Sequence, residues 1–196
     1  MSFREKKIVL LNGPKSSGKD HAAKYICSTF PNSKLDKFAR ILKEKTHALY
    51  GFHWRAWDYY EDCKDIPHED FLGLTPRQAY IGVSENYFKP MYDDQIFGRL
   101  LAKELDKFDE ELYAISDSGF VPEAEVLIDK YGRNNVLLIR IYREGYTFEG
   151  DSRNYIQLPQ IPQIEITNRG DHTYTDDLGK VVFDWLAIKS RPAIVL

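Results

Sequence analysis

The sequence has few cysteines, no large net charge and no long apolar run. Its two cysteines, Cys27 and Cys63, form neither a disulfide framework nor a metal-binding spacing. The net charge of -3 excludes a basic field over the whole protein that would recruit nucleic acid, although a local basic groove stays open. No apolar run approaches membrane-spanning length, and the first strand-like run begins too early to leave room for a signal peptide. We therefore expect a cytoplasmic protein that does not bind membranes.

The length of 196 residues suits one α/β domain with an inserted lid or cap. Apolar strand-like runs alternate with amphipathic segments, which predicts a parallel sheet with helices on both faces. The tail 191–196 is apolar, and the sequence does not indicate where it packs. The predicted strands of this five-stranded sheet are residues 8–12, 33–38, 112–117, 136–142 and 164–168.

A glycine-rich loop lies between the first predicted strand and the first predicted helix. Four residues separate Gly13 from Gly18 and Lys19 follows, which is the spacing of a P-loop; Asp20 stands where Ser or Thr is usual. Glycines allow backbone conformations in which several amides surround an anion, and the helix N-terminus adds positive charge. The sequence thus predicts a nucleotide phosphate site formed by Gly13, Pro14, Lys15, Ser16, Ser17, Gly18, Lys19 and Asp20.

Two further charged residues are predicted at the same edge of the sheet. Asp117 ends the apolar strand 112–117, a position from which a carboxylate can hold Mg²⁺ beside a P-loop. The alternative is that Asp117 caps a helix, because Asp at the end of a strand often does so. Arg143 directly follows the strand 136–142. Both residues would lie at the carboxyl ends of the strands, where parallel sheets bind ligands.

Two predicted helices carry residues that suit a second anion. Residues 75–76, Thr-Pro, predict a helix start, because Thr is a favoured N-cap and Pro suits the first helical position. The next two residues then fall in the first turn, where the helix dipole favours anions. The predicted helix 38–50 has a basic side, which either binds an anion or is simply solvated. The candidate residues are Arg40, Lys43, Arg77 and Gln78.

These motifs together resemble the phage deoxynucleoside monophosphate kinases. Residues 13–20 match that family's G-x-K-x-S-G-K-D loop, and shorter segments at 38–43, 75–88, 93–96, 117–125 and 166–170 match its later motifs in order. The resemblance spans most of the chain, although the segments after the loop are only moderately specific. It implies a single three-layer P-loop domain, 1–196, of the nucleotide kinase type. Residues 51–110 would form a helical cap over the acceptor, and residues 143–160 a lid-like loop.

The resemblance also implies an activity, in which the γ-phosphoryl group of ATP moves, with Mg²⁺, to the 5′-phosphate of a deoxynucleotide. Lys19 would neutralise the transferring group, and Asp20 and Asp117 would hold Mg²⁺ or its waters. Arg77 would bind the acceptor phosphate, with Arg40, Lys43 and Gln78 nearby. The lid arginines Arg140 and Arg143 would stabilise charge in the transition state. Such catalysis relies on positioning and electrostatics.

The sequence departs from the family pattern on the acceptor side. Position 119 is Gly where the family usually has Arg, so one anion contact is lost or is supplied by Arg77 or Arg153. The segment 151–154 lacks the His and the Ser-Glu pair often found there. These departures leave alternatives open: a kinase of a modified base hydroxyl in DNA, such as 5-hydroxymethyluracil, a dephospho-coenzyme A kinase-like enzyme, or a non-catalytic nucleotide-binding regulator. A homodimer also stays open.

Overall fold

The fold is built on a five-stranded sheet in which every neighbouring pair of strands is parallel. The computed structural model describes residues 5–188, so the apolar tail 191–196 lies outside the described residues. The strands are β1 (Lys7–Asn12), β2 (Ser33–Asp36), β3 (Leu112–Ile115), β4 (Val136–Tyr142) and β5 (Gln163–Thr167), in the order β2-β3-β1-β4-β5. The predicted parallel five-stranded sheet is confirmed. The loop strand β1 is its central strand.

Seven helices connect and cover the strands within the described range. They are α1 (Lys19–Thr29), α2 (Phe38–Leu49), α3 (Pro76–Val83), α4 (Lys89–Met91), α5 (Ile96–Leu105), α6 (Val121–Tyr131) and α7 (Thr173–Ile188). A π-helical turn, Ser84–Phe88, joins α3 to α4, and 3₁₀ turns lie at Glu69–Phe71 and Arg133–Asn135. Between residues 5 and 188 no helix has the length and apolar character needed to cross a membrane.

Side chains on β1 alternate between two apolar cores, as the period of two in a strand requires. Ile8 and Leu10 pack with residues of α2, α5 and α6, whereas Val9 and Leu11 pack with α1 and α7. All four side chains are fully buried. The apolar run of β1 is continuous because helices cover both faces of the sheet.

Residues 51–95, between α2 and α5, contain a third apolar cluster. Phe52, Tyr60, Phe71, Ala79 and Tyr80 form this cluster, and their aromatic rings contact one another largely edge to face. The next helix, α5, belongs instead to the core beneath the sheet. We call 51–95 the cap; its role over an acceptor stays a prediction.

Candidate functional site

The glycine-rich loop lies at the carboxyl end of β1, beside a crevice that the topology creates. The chain leaves β1 for α1 on one face of the sheet and leaves the neighbouring strand β3 for α6 on the other face. Where adjacent strands connect to opposite faces, their carboxyl ends open a crevice that typically binds ligands in α/β proteins. The loop 13–18 lies at the mouth of this crevice.

Both glycines of the motif are required by the local packing. A Cβ atom on Gly13 would lie 2.6 Å from the carbonyl oxygen of Ile141, and one on Gly18 would collide with the amide of Asn168. Gly18 also has φ 107°, in the left-handed region that side chains disfavour. The loop can therefore follow this path only with glycine at these two positions.

Side chains from three later segments hold the loop through its carbonyl groups. Asn168 Nδ2 donates to the oxygen of Ser17 at 2.8 Å, and the Tyr174 hydroxyl donates to that of Gly18 at 3.2 Å. Arg143 Nη1 donates to the oxygen of Ser16 at 2.9 Å. The predicted proximity of Arg143 to the loop is thus observed. Because the carbonyls are engaged from outside, the loop is held independently of any ligand.

The polar groups of the loop suit an anion such as a nucleotide phosphate. Gly18 precedes α1 with no side-chain cap, so the amides of the first turn have no side-chain acceptor at the N-cap. The hydroxyl of Ser17 is fully buried and has no hydrogen-bond partner among the described residues. Buried polar groups are rarely left unpaired in proteins, and a bound phosphate would supply acceptors for both.

Lys19 is held close to the loop and is partly desolvated. Its Nζ donates to the carbonyl oxygen of Pro14 at 2.6 Å. Burial, and then the positive charge of Arg153, lower its pKa to about 8, against the opposing effect of Asp20 and Asp117. A phosphate beside Nζ would favour the charged form, so the site as it stands is prepared for an anion.

Asp20 presents a carboxylate at the start of α1. It accepts a hydrogen bond from the Ser116 hydroxyl at 2.8 Å and pairs with Lys37 at 2.6 Å, yet 64% of its side chain is exposed. Burial alone would raise its pKa, but the hydrogen bonds from Lys37 and Ser116 outweigh it and lower the pKa. The described residues contain no group of three metal-ligating side chains. Asp20 fits the mode in which Mg²⁺ uses one or two carboxylates together with phosphate oxygens and water.

Asp117 caps a neighbouring helix, which was the alternative interpretation of its place in the sequence. Its two oxygens accept from the backbone amides of Phe38 at 2.9 Å and Ala39 at 2.8 Å, at the start of α2. The helix needs this partner because Lys37, at its N-cap, supplies none. Burial raises the pKa of Asp117. Each carboxylate oxygen keeps a second lone pair, so a metal role stays a prediction.

Arg153 occupies the space that an arginine at position 119 would use. A Cβ atom on Gly119 would lie 2.5 Å from Cδ and 2.7 Å from Cγ of Arg153. The Arg153 guanidinium is held by Asp151, with Nε 2.9 Å from Oδ1 and Nη2 2.6 Å from Oδ2. Hydrogen bonds to Asp151 raise its pKa, and the charges of Asp117 and Glu123 act in the same direction. The geometry therefore brings Arg153 into the charged edge of the sheet.

The remaining predicted acceptor residues are all engaged with protein groups. Arg77 pairs with Asp65, Nε to Oδ1 at 2.5 Å, and both side chains are largely exposed. Gln78 Oε1 accepts from the amide of Thr75 at 2.9 Å as part of a capping box, which confirms the predicted start of α3. Arg40 binds Asp36 through two nitrogens, and Lys43 pairs with Glu61.

Arg140 and the second half of the segment 143–160 form a structural unit. The buried Arg140 guanidinium hydrogen-bonds to four residues, Ile156, Gln157, Gln163 and Glu165. Ile156 and Leu158 lie in the core beneath the sheet. No helix or strand forms in 143–160, but residues from 154 onward are tied down. Of the two predicted lid arginines, only Arg143 contacts the loop.

Besides Asn168, Tyr174, Ser116 and Lys37, two buried residues near the crevice, Asn12 and Glu123, were not assigned a role from sequence. Asn12 is fully buried, donates to the carbonyls of Ser118 and Asn154, and accepts from the amide of Ile156. It therefore joins β1 to two segments that border the crevice. Glu123 is 5% exposed, and no described residue offers it a hydrogen bond or an ion pair within 4 Å. Burial, and then the charge of Asp117, raise its pKa to about 8. The sequence feature that could have indicated Glu123 is its place as an acid in the first turn of α6, the helix that follows Asp117.

Comparisons with known proteins give little beyond this geometry. No family model matches the sequence, and no curated protein is similar to it. Among solved structures, the chain is similar to the unliganded crystal structure of a sugar kinase from Janibacter sp. HTCC2649, with 12% identity and a TM-score of 0.48, over 93% of this chain and 95% of that one. A likeness of this degree supports no argument about substrate or chemistry.

Proposed function

We propose that the chain is a phosphotransferase that uses ATP and Mg²⁺ and has a deoxynucleoside monophosphate as its acceptor. The observation that carries the proposal is the uncapped glycine loop at the crevice. Lys19 opens the helix that follows the loop, and Arg153 and Asp117 come from other segments to the same place. The resemblance of residues 13–20 to the deoxynucleoside monophosphate kinases supports the choice of acceptor.

On the donor side, the loop amides and the Ser17 hydroxyl bind the phosphate chain. Lys19 exchanges the carbonyl of Pro14 for phosphate oxygens and stabilises the charge that develops on them. Asp20 holds the metal through its exposed carboxylate, while Ser116 keeps that carboxylate oriented. Bound Mg-ATP would supply the phosphoryl group and neutralise part of its charge.

On the acceptor side, Arg153 and Arg77 bind the 5′-phosphate and place it in line with the phosphoryl group. Both guanidinium groups are held by a carboxylate, Asp151 or Asp65, in the absence of substrate. Binding therefore exchanges one anion for another around groups that are already oriented. Arg40, Gln78 and Arg140 are left out of this proposal because their polar atoms are engaged within the fold.

The test is a phosphorylation screen with Mg²⁺ and ATP labelled at the γ position. The acceptors are the four deoxynucleoside monophosphates, dephospho-coenzyme A and DNA containing 5-hydroxymethyluracil. We expect labelled deoxynucleoside diphosphates from at least one mononucleotide. Labelled DNA or coenzyme A alone would refute the proposed acceptor. No transfer to any acceptor, together with ATP binding, would favour a non-catalytic regulator.

A further inference from the structure

The three tryptophans of the chain lie in very different surroundings. Trp185 is 7% exposed and packs in the core between α1 and α7. Trp54 is 70% exposed and contacts only the ring of His53 among aromatic side chains in the described range. Trp57 is partly buried, yet it belongs to none of the three apolar clusters. Its position is therefore not explained by packing of a core.

The ring of Trp57 faces cations. Lys43 Nζ lies 5.2 Å and Lys37 Nζ 5.7 Å from the centroid of the indole ring, within the range of cation–π contacts. No other aromatic ring within residues 5–188 contacts the indole. The indole ring therefore meets ammonium groups and not the adjacent aromatic cluster.

The same two lysines connect Trp57 to the crevice. Lys37 pairs with Asp20 at 2.6 Å, at the start of the helix that follows the glycine loop. Lys43 interacts with the charge of Asp117. Lys37 thus lies between the ring of Trp57 and Asp20, beside the proposed site of the donor phosphates.

The lysines around the ring belong to a mixed cluster of positive and negative charges. Burial, and then the positive charges of Lys37 and Lys64, lower the pKa of Lys43 to about 8. Glu61 is shared between Lys43 and Lys64, Asp20 pairs with Lys37, and the negative charges of Asp117 and Asp58 also act on Lys43. A partly exposed indole ring at the border of this charged cluster suits a ligand that carries a planar ring and has its own charged group elsewhere in the crevice.

We propose that Trp57 is the surface on which the base of the acceptor nucleotide stacks, while Arg153 and Arg77 bind its phosphate as in the proposed function. The inference rests on the proposed function and names a part of its acceptor site that the sequence motifs do not contain. Bases stack on aromatic side chains with little dependence on their identity, since every base has a π face. The site therefore takes mononucleotides of several bases and rejects acceptors that have a phosphate but no base.

The direct test uses tryptophan fluorescence of the full chain, the Trp57→Phe variant and the matched Trp54→Phe variant. Each protein is titrated with a deoxynucleoside monophosphate, with ATP and with inorganic phosphate. We expect the mononucleotide to quench the full chain and Trp54→Phe equally, and the quenching to vanish in Trp57→Phe. Quenching that persists in Trp57→Phe, or that only ATP produces, would overturn the proposal.

A kinetic test separates stacking from a structural role. Trp57→Ala should raise the acceptor KM about tenfold to a hundredfold, the range of one base stacked on one aromatic side chain, with the KM for ATP unchanged. Trp57→Phe keeps an aromatic face and should restore most of the loss, and Trp54→Ala should match the parent. An acceptor KM for Trp57→Ala equal to that of the parent would disprove stacking while leaving the phosphotransferase intact.

The outcomes also separate this inference from the proposed function. A parent that phosphorylates mononucleotides while Trp57→Ala binds them equally well would refute only the role of Trp57. Quenching through Trp57 without phosphoryl transfer would refute only the activity and support a nucleotide site at the ring. Quenching by a single-stranded oligonucleotide and by no mononucleotide would overturn the proposed ligand class.

Discussion

The two sides of the crevice are organised differently. On the proposed donor side, the backbone of the loop is fixed: Asn168, Tyr174 and Arg143 bind its carbonyl groups, and the glycines fit against neighbouring atoms. On the acceptor side, the charged groups are paired with one another, Arg77 with Asp65 and Arg153 with Asp151. The hydrogen bonds to the loop carbonyls would stay in place when a ligand binds. The ion pairs of Arg77 and Arg153 would be replaced by contacts to the ligand.

This difference has a physical consequence for the two substrates. Side chains that bind the loop's carbonyl groups keep its backbone in place. The loop amides therefore need no rearrangement to meet a ligand, which is the condition for electrostatic stabilisation of a transition state. The exposed pair of Arg77 and Asp65 contributes only about 0–1 kcal/mol, so an anionic substrate can displace it at little cost, whereas the pair of Arg153 and Asp151 is less exposed. The donor side is suited to an unchanging phosphate group, and the acceptor side can adapt to what it binds.

Lys19→Ala should break the donor side most severely. Removing one charged donor that acts on the transferring group should lower turnover about 100- to 1000-fold, with the melting temperature nearly unchanged. Steady-state kinetics and thermal unfolding measure both quantities. Lys24→Ala, an exposed position on the same helix, is the matched control and should behave as the parent. A Lys19→Ala enzyme with parental turnover would refute the P-loop assignment.

Exchanging the arginine between positions 153 and 119 tests the acceptor side. Arg153→Ala should reduce kcat/KM for the acceptor about 10- to 100-fold, as expected for a hydrogen bond to a charged group. Adding Gly119→Arg to that variant should restore part of the loss, because the stem that covers Gly119 is then absent. Gly119→Arg alone should be impaired, since Arg153 fills the space. Arg133→Ala, on the exposed surface, serves as control. Equal acceptor kinetics in all variants would show that Arg153 binds no substrate.

Arg77→Ala should have a smaller effect, because its guanidinium is about half exposed. We expect the acceptor KM to rise about fivefold, in line with an exposed charge pair, and the affinity for ATP to stay constant. Arg99 forms a similarly exposed pair with Asp93, and Arg99→Ala should leave both parameters unchanged. A selective loss of ATP affinity in Arg77→Ala would reverse the assignment of this residue to the acceptor.

The smallest expected effect concerns stability and pH at Glu123. Burial raises its pKa from 4.5 to about 8 beside Asp117 and Glu85, despite Lys89 and Arg153. A raised acid pKa gives stability that is present at low pH and lost as the pH rises through 8. Glu123→Gln, which stays neutral, should thus unfold at a higher temperature than the parent at pH 8.5 and at a similar one at pH 4.5. We expect on the order of 1 kcal/mol, or about 2–4 °C.

Thermal unfolding across this pH range measures the difference. Glu125→Gln, on the same helix and less buried, should follow the parent at every pH. Parallel curves for Glu123→Gln and the parent would mean that Glu123 does not change its charge between the folded and unfolded states in this interval.

The sheet could be predicted from sequence because its signals are local. The strands β1, β3 and β4 are apolar runs, and the run 136–142 coincides with β4. The strands predicted at 33–38 and 112–117 end two residues earlier, at Asp36 and Ile115. There Phe38 already begins α2, and Asp117 turns to cap that helix. The hydrogen bond from Phe38 to Asp117 joins residues 79 positions apart, so this capping of α2 leaves no local pattern in the sequence.

The site was predictable only where one segment forms it alone. The loop meets this condition, and so does the capping box of Thr75 and Gln78. Arg140 and Arg143 look alike in sequence, yet one is buried among residues 156–165 and the other reaches the loop. The packing of Arg153 over Gly119 and the lysines beside Trp57 depend on tertiary contacts that periodicity does not encode. Such contacts decide which of several charged residues becomes available to a ligand.

The separate apolar cluster of the cap has a consequence for how this chain can change over time. Phe52, Tyr60 and Phe71 pack with one another and not with the strands, and His47 of α2 joins their rings to the rest of the fold. Mutations in residues 51–95 can accumulate without reaching the glycine loop. Under the proposed function, acceptor preference can therefore change more readily than phosphate binding.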